Sequence, residues 1–172
     1  MPVRPATARD ADFLWHILRE AYNWNGEQRF TVEELAADPH AARYLAGWPR
    51  TDDFGFVAET DAGEPIGAAW ARRLPADEPG YGFVATDVPE LTLGVSSGHR
   101  GVGHGRTLME ALIRAAAERP EPVTRLCLSV EEGNPAAHLY TSLGFTRVGR
   151  NGDSDTMLLD VPDLRHAWAR GR

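Results

Sequence analysis

Residues 99–106 read HRGVGHGR, with glycines alternating at 101, 103 and 105 between the apolar run LTLGV (91–95) and TLMEALIRAAAER (107–119). Leu108, Met109, Leu112, Ile113 and Ala116 recur at helical spacing, and Pro120 cannot continue the turn, so a long amphipathic helix is predicted to start at the last of these glycines. A glycine-rich turn running into a helix leaves main-chain N–H groups unpaired at the positive end of the helix dipole, which suits phosphate oxygens. Each missing Cβ also lets a phosphate approach the backbone. Arg100 and Arg106 flank the turn and can add charge. Two nucleotide motifs fail on spacing. A P-loop needs a lysine where Arg106 follows Gly105, and a dinucleotide turn counted from Gly101 and Gly103 needs a glycine where Arg106 stands. A tight turn with no ligand satisfies the same three glycines.

Outward from this junction, VRPAT (3–7) is a strand candidate and Thr7 a helix cap, followed by the amphipathic DADFLWHILREAYN (10–23), with Leu14, Ile17, Leu18 and Ala21 on one face. Thr31 and Glu34 in TVEE spell a capping box for a second helix that Asp38 and Pro39 end, and HAARYLAGW (40–48) is a third helical piece. FGFVAET (54–60) and EPIGAAWARR (64–73) make a hairpin around DAGE. Residues 74–89 read as a loop with a short strand at Gly82–Ala85; then come the strand ELTLGV, the long helix, the strand TRLCLSV (124–130), a short helix in NPAAHLYTSLGF (134–145) and closing strands TRVGR (146–150) and TMLLD (156–160). This order predicts an α/β (α+β) fold around one mixed sheet, with no repeat, linker or composition shift to divide it, hence a single domain over 1–172.

The chain of 172 residues carries a net charge of -7, which argues against a nucleic-acid surface, so an anion must be held locally. The single cysteine, Cys127, forbids an intramolecular disulfide and points to a cytoplasmic, reducing home. No apolar run approaches the ~20 residues of a membrane span, and MPVRPATARDAD lacks a signal-peptide core, so no membrane association is expected. Six histidines, at 16, 40, 99, 104, 138 and 166, form no ligand pairing, and no metal is expected.

Arg100, Gly103 and Gly105 spell Arg-x-x-Gly-x-Gly after an apolar strand and before a long helix, which resembles the acetyl-CoA loop of the GNAT superfamily of N-acetyltransferases. Asn134, Ala137, Leu139, Tyr140, Gly144 and Phe145 resemble that family's second signature, in the same order and separated by a strand; Ser97 stands where the family often has proline. The resemblance implies a mixed, mostly antiparallel sheet of about seven strands flanked by helices. It also implies transfer of an acetyl group from acetyl-CoA, as co-substrate, to a primary amine of a small molecule or peptide. The alternative is a non-catalytic acyl-CoA-binding or regulatory module, and a homodimer is left open.

Roles follow residue by residue. By resemblance, the main chain of Arg100, Gly101, Val102, Gly103, His104, Gly105 and Arg106 binds the diphosphate, as the helix-terminus argument also suggests, and Asn134, Ala137 and Tyr140 contact the cofactor. By the same resemblance, Val95 is expected to be the N–H donor to the acetyl oxygen; Gly94 beside it signals a bulge, a close backbone approach or simple packing. Tyr140 matches the family's thiolate-facing tyrosine and is the candidate acid, or else a core aromatic, and Asn134 is expected to cap its helix whether or not it touches cofactor. Glu90, opening the strand that leads to Val95, is the candidate base, and a solvated strand-end acid would look the same. Tyr22, Trp24, Phe30, Tyr44 and Trp48 could line an amine pocket, with core packing the commoner reading. The acids Asp77, Glu78 and Asp87 read as a solvated face.

Overall fold

The computed structural model describes residues 2–163; His166 lies outside them. Seven strands form one sheet: β1 (Val3–Pro5), β2 (Phe54–Glu59), β3 (Pro65–Arg72), β4 (Glu90–Val95), β5 (Arg125–Glu131), β6 (Thr146–Asn151) and β7 (Ser154–Asp160). Their spatial order is β1-β2-β3-β4-β5-β7-β6. Every pairing is antiparallel except β4 with β5, the mixed, mostly antiparallel sheet that was predicted.

Helices cover both faces because the central strands are apolar on both sides. In β3, Ala69 and Ala71 face one cluster and Ala68 and Trp70 the other, following the two-residue alternation of a strand. The first cluster receives Leu108, Met109, Leu112 and Ala116 from α4 (His104–Glu118), the stripe anticipated from spacing. The second receives Leu14, Ile17 and Leu18 from α1 (Ala11–Tyr22), with Leu35 from α2 (Val32–Ala37) and Ala41 from α3 (Pro39–Ala42). Burying each such aliphatic side chain contributes about 1.5–3 kcal/mol, so the stripes dock the helices whatever their intrinsic propensity.

Local expectations need four corrections. Thr7 opens a 3-10 turn (Ala8–Asp10) ahead of α1, and the reciprocal capping box is formed there with Asp10, while Thr31 accepts from Glu34 N at 3.1 Å. Pro39 begins a helix as well as ending one, since Asp38 caps His40 N at 2.9 Å, but α3 stops at Ala42 and turns follow where HAARYLAGW was expected to stay helical. Residues 82–85 form no strand; Gly82 lies so close to the main chain of β5 that a Cβ there would sit 2.5 Å from the Leu128 carbonyl. Gly94 makes no bulge in the β3–β4 register: the missing Cβ would fall 2.7 Å from Ile17 Cγ2, so this glycine lets α1 lie on the sheet. Among the described residues, no helix is long and apolar enough to cross a membrane.

Candidate active site

The sheet opens where its one parallel pairing fails. β4 and β5 are paired only at Glu90 opposite Cys127, where Cys127 N donates to Pro89 O at 3.0 Å. Ser96 N bonds Ile66 O at 2.8 Å on the β3 side, so by strand alternation Leu93 and Val95 turn their N–H and C=O groups toward the gap. The predicted donor Val95 therefore faces the splay, although the feature that frees it is the divergence of β5 and not a bulge at Gly94. A cavity of about 720 Å³ fills the gap, lined by residues 91–95 of β4, 128–131 of β5, the glycine loop, α1 and α5 (Ala136–Ser142).

At one end of this cavity lies the start of α4. Gly98, Gly101 and Gly103 have φ of 91°, 79° and 95°, a left-handed backbone region that suits glycine, and Gly103 caps α4 without any side-chain hydrogen bond. A helix start of this kind, with Gly103, Gly105 and Arg106 in the cavity lining, has the dipole end that suits an anion. Arg100 is not the free flanking charge expected. Its guanidinium bonds Glu20 Oε2 at 2.8 Å, Val95 O at 2.9 Å and the Trp24 carbonyl at 3.3 Å, tying the loop to β4 and α1. Arg106 Nη2 donates to Ser142 Oγ at 2.6 Å. Gly101, Gly103, His104, Gly105 and Arg106 line the cavity, whereas Val102 is 70% exposed and outside the lining.

Just before α5, Asn134 Oδ1 accepts from Ala136 N at 3.0 Å, one position ahead of the N-cap, which is Pro135 and not the Asn134 expected. Asn134 and Tyr140 line the cavity, together with Ala136 and Leu139, but Ala137 does not. Tyr140 is 6% exposed, its ring 5.9 Å from that of Phe145, and burial pushes its phenol above the ordinary range. Its hydroxyl is therefore a hydrogen-bond donor at neutral pH, because burial makes the phenolate costly.

Glu90 is not a solvated strand-end acid. It is 3% exposed and lines the cavity. Tyr44 Oη donates to Glu90 Oε2, which also accepts from Gly82 N at 3.3 Å, and Tyr44 Oη in turn accepts from Tyr81 N at 2.7 Å. Burial pushes the carboxyl up to about 7 against the opposing pull of those two hydrogen bonds. A group that titrates there is poised to exchange a proton at neutral pH. Gly80 permits the arrangement, since a Cβ on it would lie 2.2 Å from Glu90 Oε1 and 2.7 Å from Tyr44 Oη.

Sequence reasoning missed what stands behind Tyr44. Arg72 on β3 pairs with Asp53 through Nη2–Oδ2 at 2.7 Å and Nε–Oδ1 at 3.0 Å, with side chains 1% and 2% exposed. The same guanidinium donates to the carbonyls of Arg43 at 3.1 Å and Ala46 at 2.8 Å, and Trp70 Nε1 donates to the Tyr44 carbonyl at 3.0 Å. Residues 43–46, which no helix orders, are thereby held to β3 with Tyr44 aimed at Glu90. No local sequence signal marks a pairing between positions 19 to 29 apart. Of the aromatic set, Tyr22, Trp24, Phe30 and Tyr44 line the cavity, while Trp48 donates to Thr7 O at 3.0 Å elsewhere in the core. Asp77, Glu78 and Asp87 are exposed and outside the cavity lining, the solvated face anticipated. Among the described residues, no group of three or more His, Cys, Asp or Glu side chains could hold a metal ion.

Comparison with known proteins bears on this architecture. The acetyltransferase (GNAT) family model matches residues 12–145. Ribosomal-protein-alanine N-acetyltransferase from Brucella melitensis is 28% identical, with a TM-score of 0.66, over 93% of this chain and 99% of that one. Spermidine N-acetyltransferase from Vibrio cholerae, solved with CoA and spermine, is 21% identical with a TM-score of 0.62, over 93% and 95% of the two chains. The GNAT domain of S. lividans PAT is 21% identical with a TM-score of 0.65, over 92% and 89%. No curated protein matches the chain by sequence.

Proposed function

Because the chain belongs to the acetyltransferase (GNAT) family, we propose that it moves an acetyl group from acetyl-CoA directly to a primary amine of a small molecule or peptide. The observation that carries the amine chemistry is the buried Glu90 carboxyl, which titrates at about 7 in the same cavity as Val95, Tyr140 and the open start of α4.

The residues present fit acetyl-CoA. The helix start at Gly103, which carries no side-chain cap, suits its diphosphate through the helix dipole, and the splay between β4 and β5 exposes strand edge to its pantetheine arm. The bound co-substrate supplies an activated acetyl thioester. Glu90 takes a proton from the acceptor ammonium, freeing the nitrogen lone pair that forms the new C–N bond. Val95 N–H stabilises the negative charge that develops on the acetyl oxygen, a role typically worth about 2.7–4 kcal/mol. Tyr140 gives its hydroxyl proton to the sulfur as the C–S bond breaks, making the thiol, and is restored by the second proton that the nitrogen sheds as it becomes an amide.

The test is a thiol-release screen with amines, amino acids, polyamines, aminoglycosides and peptide N-termini, alongside melting curves with acetyl-CoA. Release with at least one amine and a raised melting temperature are expected. No thermal shift at saturating acetyl-CoA would sink the reading, and a shift with no release from any amine would favour a non-catalytic acyl-CoA-binding module. Tyr140→Phe should lower kcat by about 100-fold while preserving the thermal shift; equal loss of both, or of neither, would remove Tyr140 from the acid role.

A further inference from the structure

Strand alternation sorts the cavity into two sides. Gly94 lies against Ile17 of α1, so Thr92 and Glu90, two and four positions back along β4, share the α1 face with it. Tyr44, the hydrogen-bond partner of Glu90, belongs to the same cluster as Ile17. Leu91, Leu93 and Val95 face the other cluster, with the stripe of α4 and Tyr140. On β5, Leu126, Leu128 and Val130 face that way too, which leaves Ser129 and Glu131 on the α1 face. The features that suit the cofactor therefore lie on the α4 face and Glu90 on the α1 face, so an acceptor reaches the splay from the α1 side.

That side has a polar floor and a carbon roof. The floor is the strands, with the Glu90 carboxyl and the hydroxyls of Thr92 and Ser129. The roof is α1 and the segment that follows it, where Leu18, Ala21, Tyr22, Trp24 and Phe30 line the cavity together with the charged Glu20 and Arg29. Both charges are committed: Glu20 pairs with Arg100 at 2.8 Å and Arg29 with Glu131 at 3.1 Å. Tyr22 and Trp24 are half-buried, yet their only polar side-chain atoms, Tyr22 Oη and Trp24 Nε1, are covered by the protein itself. Whatever side-chain surface these two residues expose is therefore carbon. The main chain adds little, since the carbonyls of Tyr22, Trp24 and Phe30 already accept from Arg29, Arg100 and Asn23. A charged or hydroxylated body placed against this roof would give up hydration without gaining partners, whereas an apolar one gains by leaving water.

We propose that the acceptor is a primary amine on an otherwise uncharged, apolar body, an alkyl chain or a ring, which lies against the roof while its nitrogen points to the strands. The proposal rests on the acetyl-transfer reading and names the substrate class of that site. Tyr22 and Phe30 meet edge to face, with 5.4 Å between centroids and 84° between planes, so the roof offers two rings at a set angle for the body to pack on. Burial of that body, and not a second charge, supplies the affinity that holds the amine at the gap between β4 and β5.

The experiment measures kcat/KM with acetyl-CoA for straight-chain primary amines from ethylamine to hexylamine, for phenylethylamine, and for spermidine, ethanolamine and an amino acid. Binding of the same amines to the CoA complex is measured by calorimetry. Along the straight-chain series kcat/KM should rise by about fourfold per methylene, and phenylethylamine should exceed spermidine and ethanolamine by about tenfold or more. A flat series would overturn the proposal, as would spermidine, ethanolamine or the amino acid ahead of phenylethylamine. Phe30→Ala should cost hexylamine about tenfold more than ethylamine. A loss uniform along the series would mean that the bodies do not meet this roof, which would also overturn it. Chain-length-dependent binding without thiol release would uphold the apolar site and defeat acetyl transfer. Turnover with no dependence on chain length would do the reverse, and neither binding nor turnover with any amine would overturn both.

Discussion

Glu90→Gln is expected to lower kcat/KM for the acceptor amine by about 10²- to 10⁴-fold, the usual worth of a positioned general base. The amide keeps the shape and can still meet Tyr44 and Gly82, but it cannot take a proton. The pH profile separates this from a packing defect. Glu90 must be ionised to act, and burial places its titration at about 7, so wild-type kcat/KM should rise with pH below 7 and bend near it. The variant has no base, so it should depend on the free-amine fraction of the acceptor and rise steadily through 7, and the bend near 7 should vanish in it alone. A variant that keeps the bend would assign it to another group. One that keeps full activity would remove Glu90 from the mechanism.

The second large effect should be on stability. Asp53→Ala leaves the Arg72 guanidinium 1% exposed with its carboxylate partner gone. Removing one member of a buried pair typically costs about 3–5 kcal/mol, because the remaining charge is buried without compensation. In a chain of 172 residues that is a fall in melting temperature on the order of 10 °C. Because Arg72 also holds the carbonyls of Arg43 and Ala46, the variant should loosen Tyr44 and shift the bend assigned to Glu90. Asp53→Asn, which keeps the shape and the acceptor oxygen, should recover part of the stability. A melting temperature within about 2 °C of wild type for the alanine variant would mean that the pair is not the anchor described.

Much of the fold was legible because its signals are local or periodic. The apolar stripes of α1 and α4, the 61–64 turn and the caps at Thr7 and Thr31 each depend on residues a few positions apart. The failures have the same origin in reverse. HAARYLAGW carries helical propensity, yet side chains from β3 capture the carbonyls of residues 43, 44 and 46, and turns replace the helix. Gly82–Ala85 has strand-like residues, but its backbone packs onto β5 so closely that only a glycine fits at 82. Gly94 announced that something comes near the strand without saying whether a ligand, a bulge or α1 was responsible.

By itself, the sequence determined the order of strands and helices and the loop that leads into α4, because glycine conformation and helix capping are settled within a few residues. It also supplied Glu90 and Tyr140 as candidates by position. Only the tertiary structure decided what Glu90 is. Its environment is assembled from Tyr44, 46 positions away, from the 80–82 backbone and from the pair Arg72–Asp53 behind them. Desolvation and hydrogen bonding set a carboxyl's proton affinity, and both depend on what the fold brings near, not on what stands beside the residue in the chain. The same holds for Arg100, which reads as a spare charge beside the glycines until Glu20 arrives from α1 to claim it.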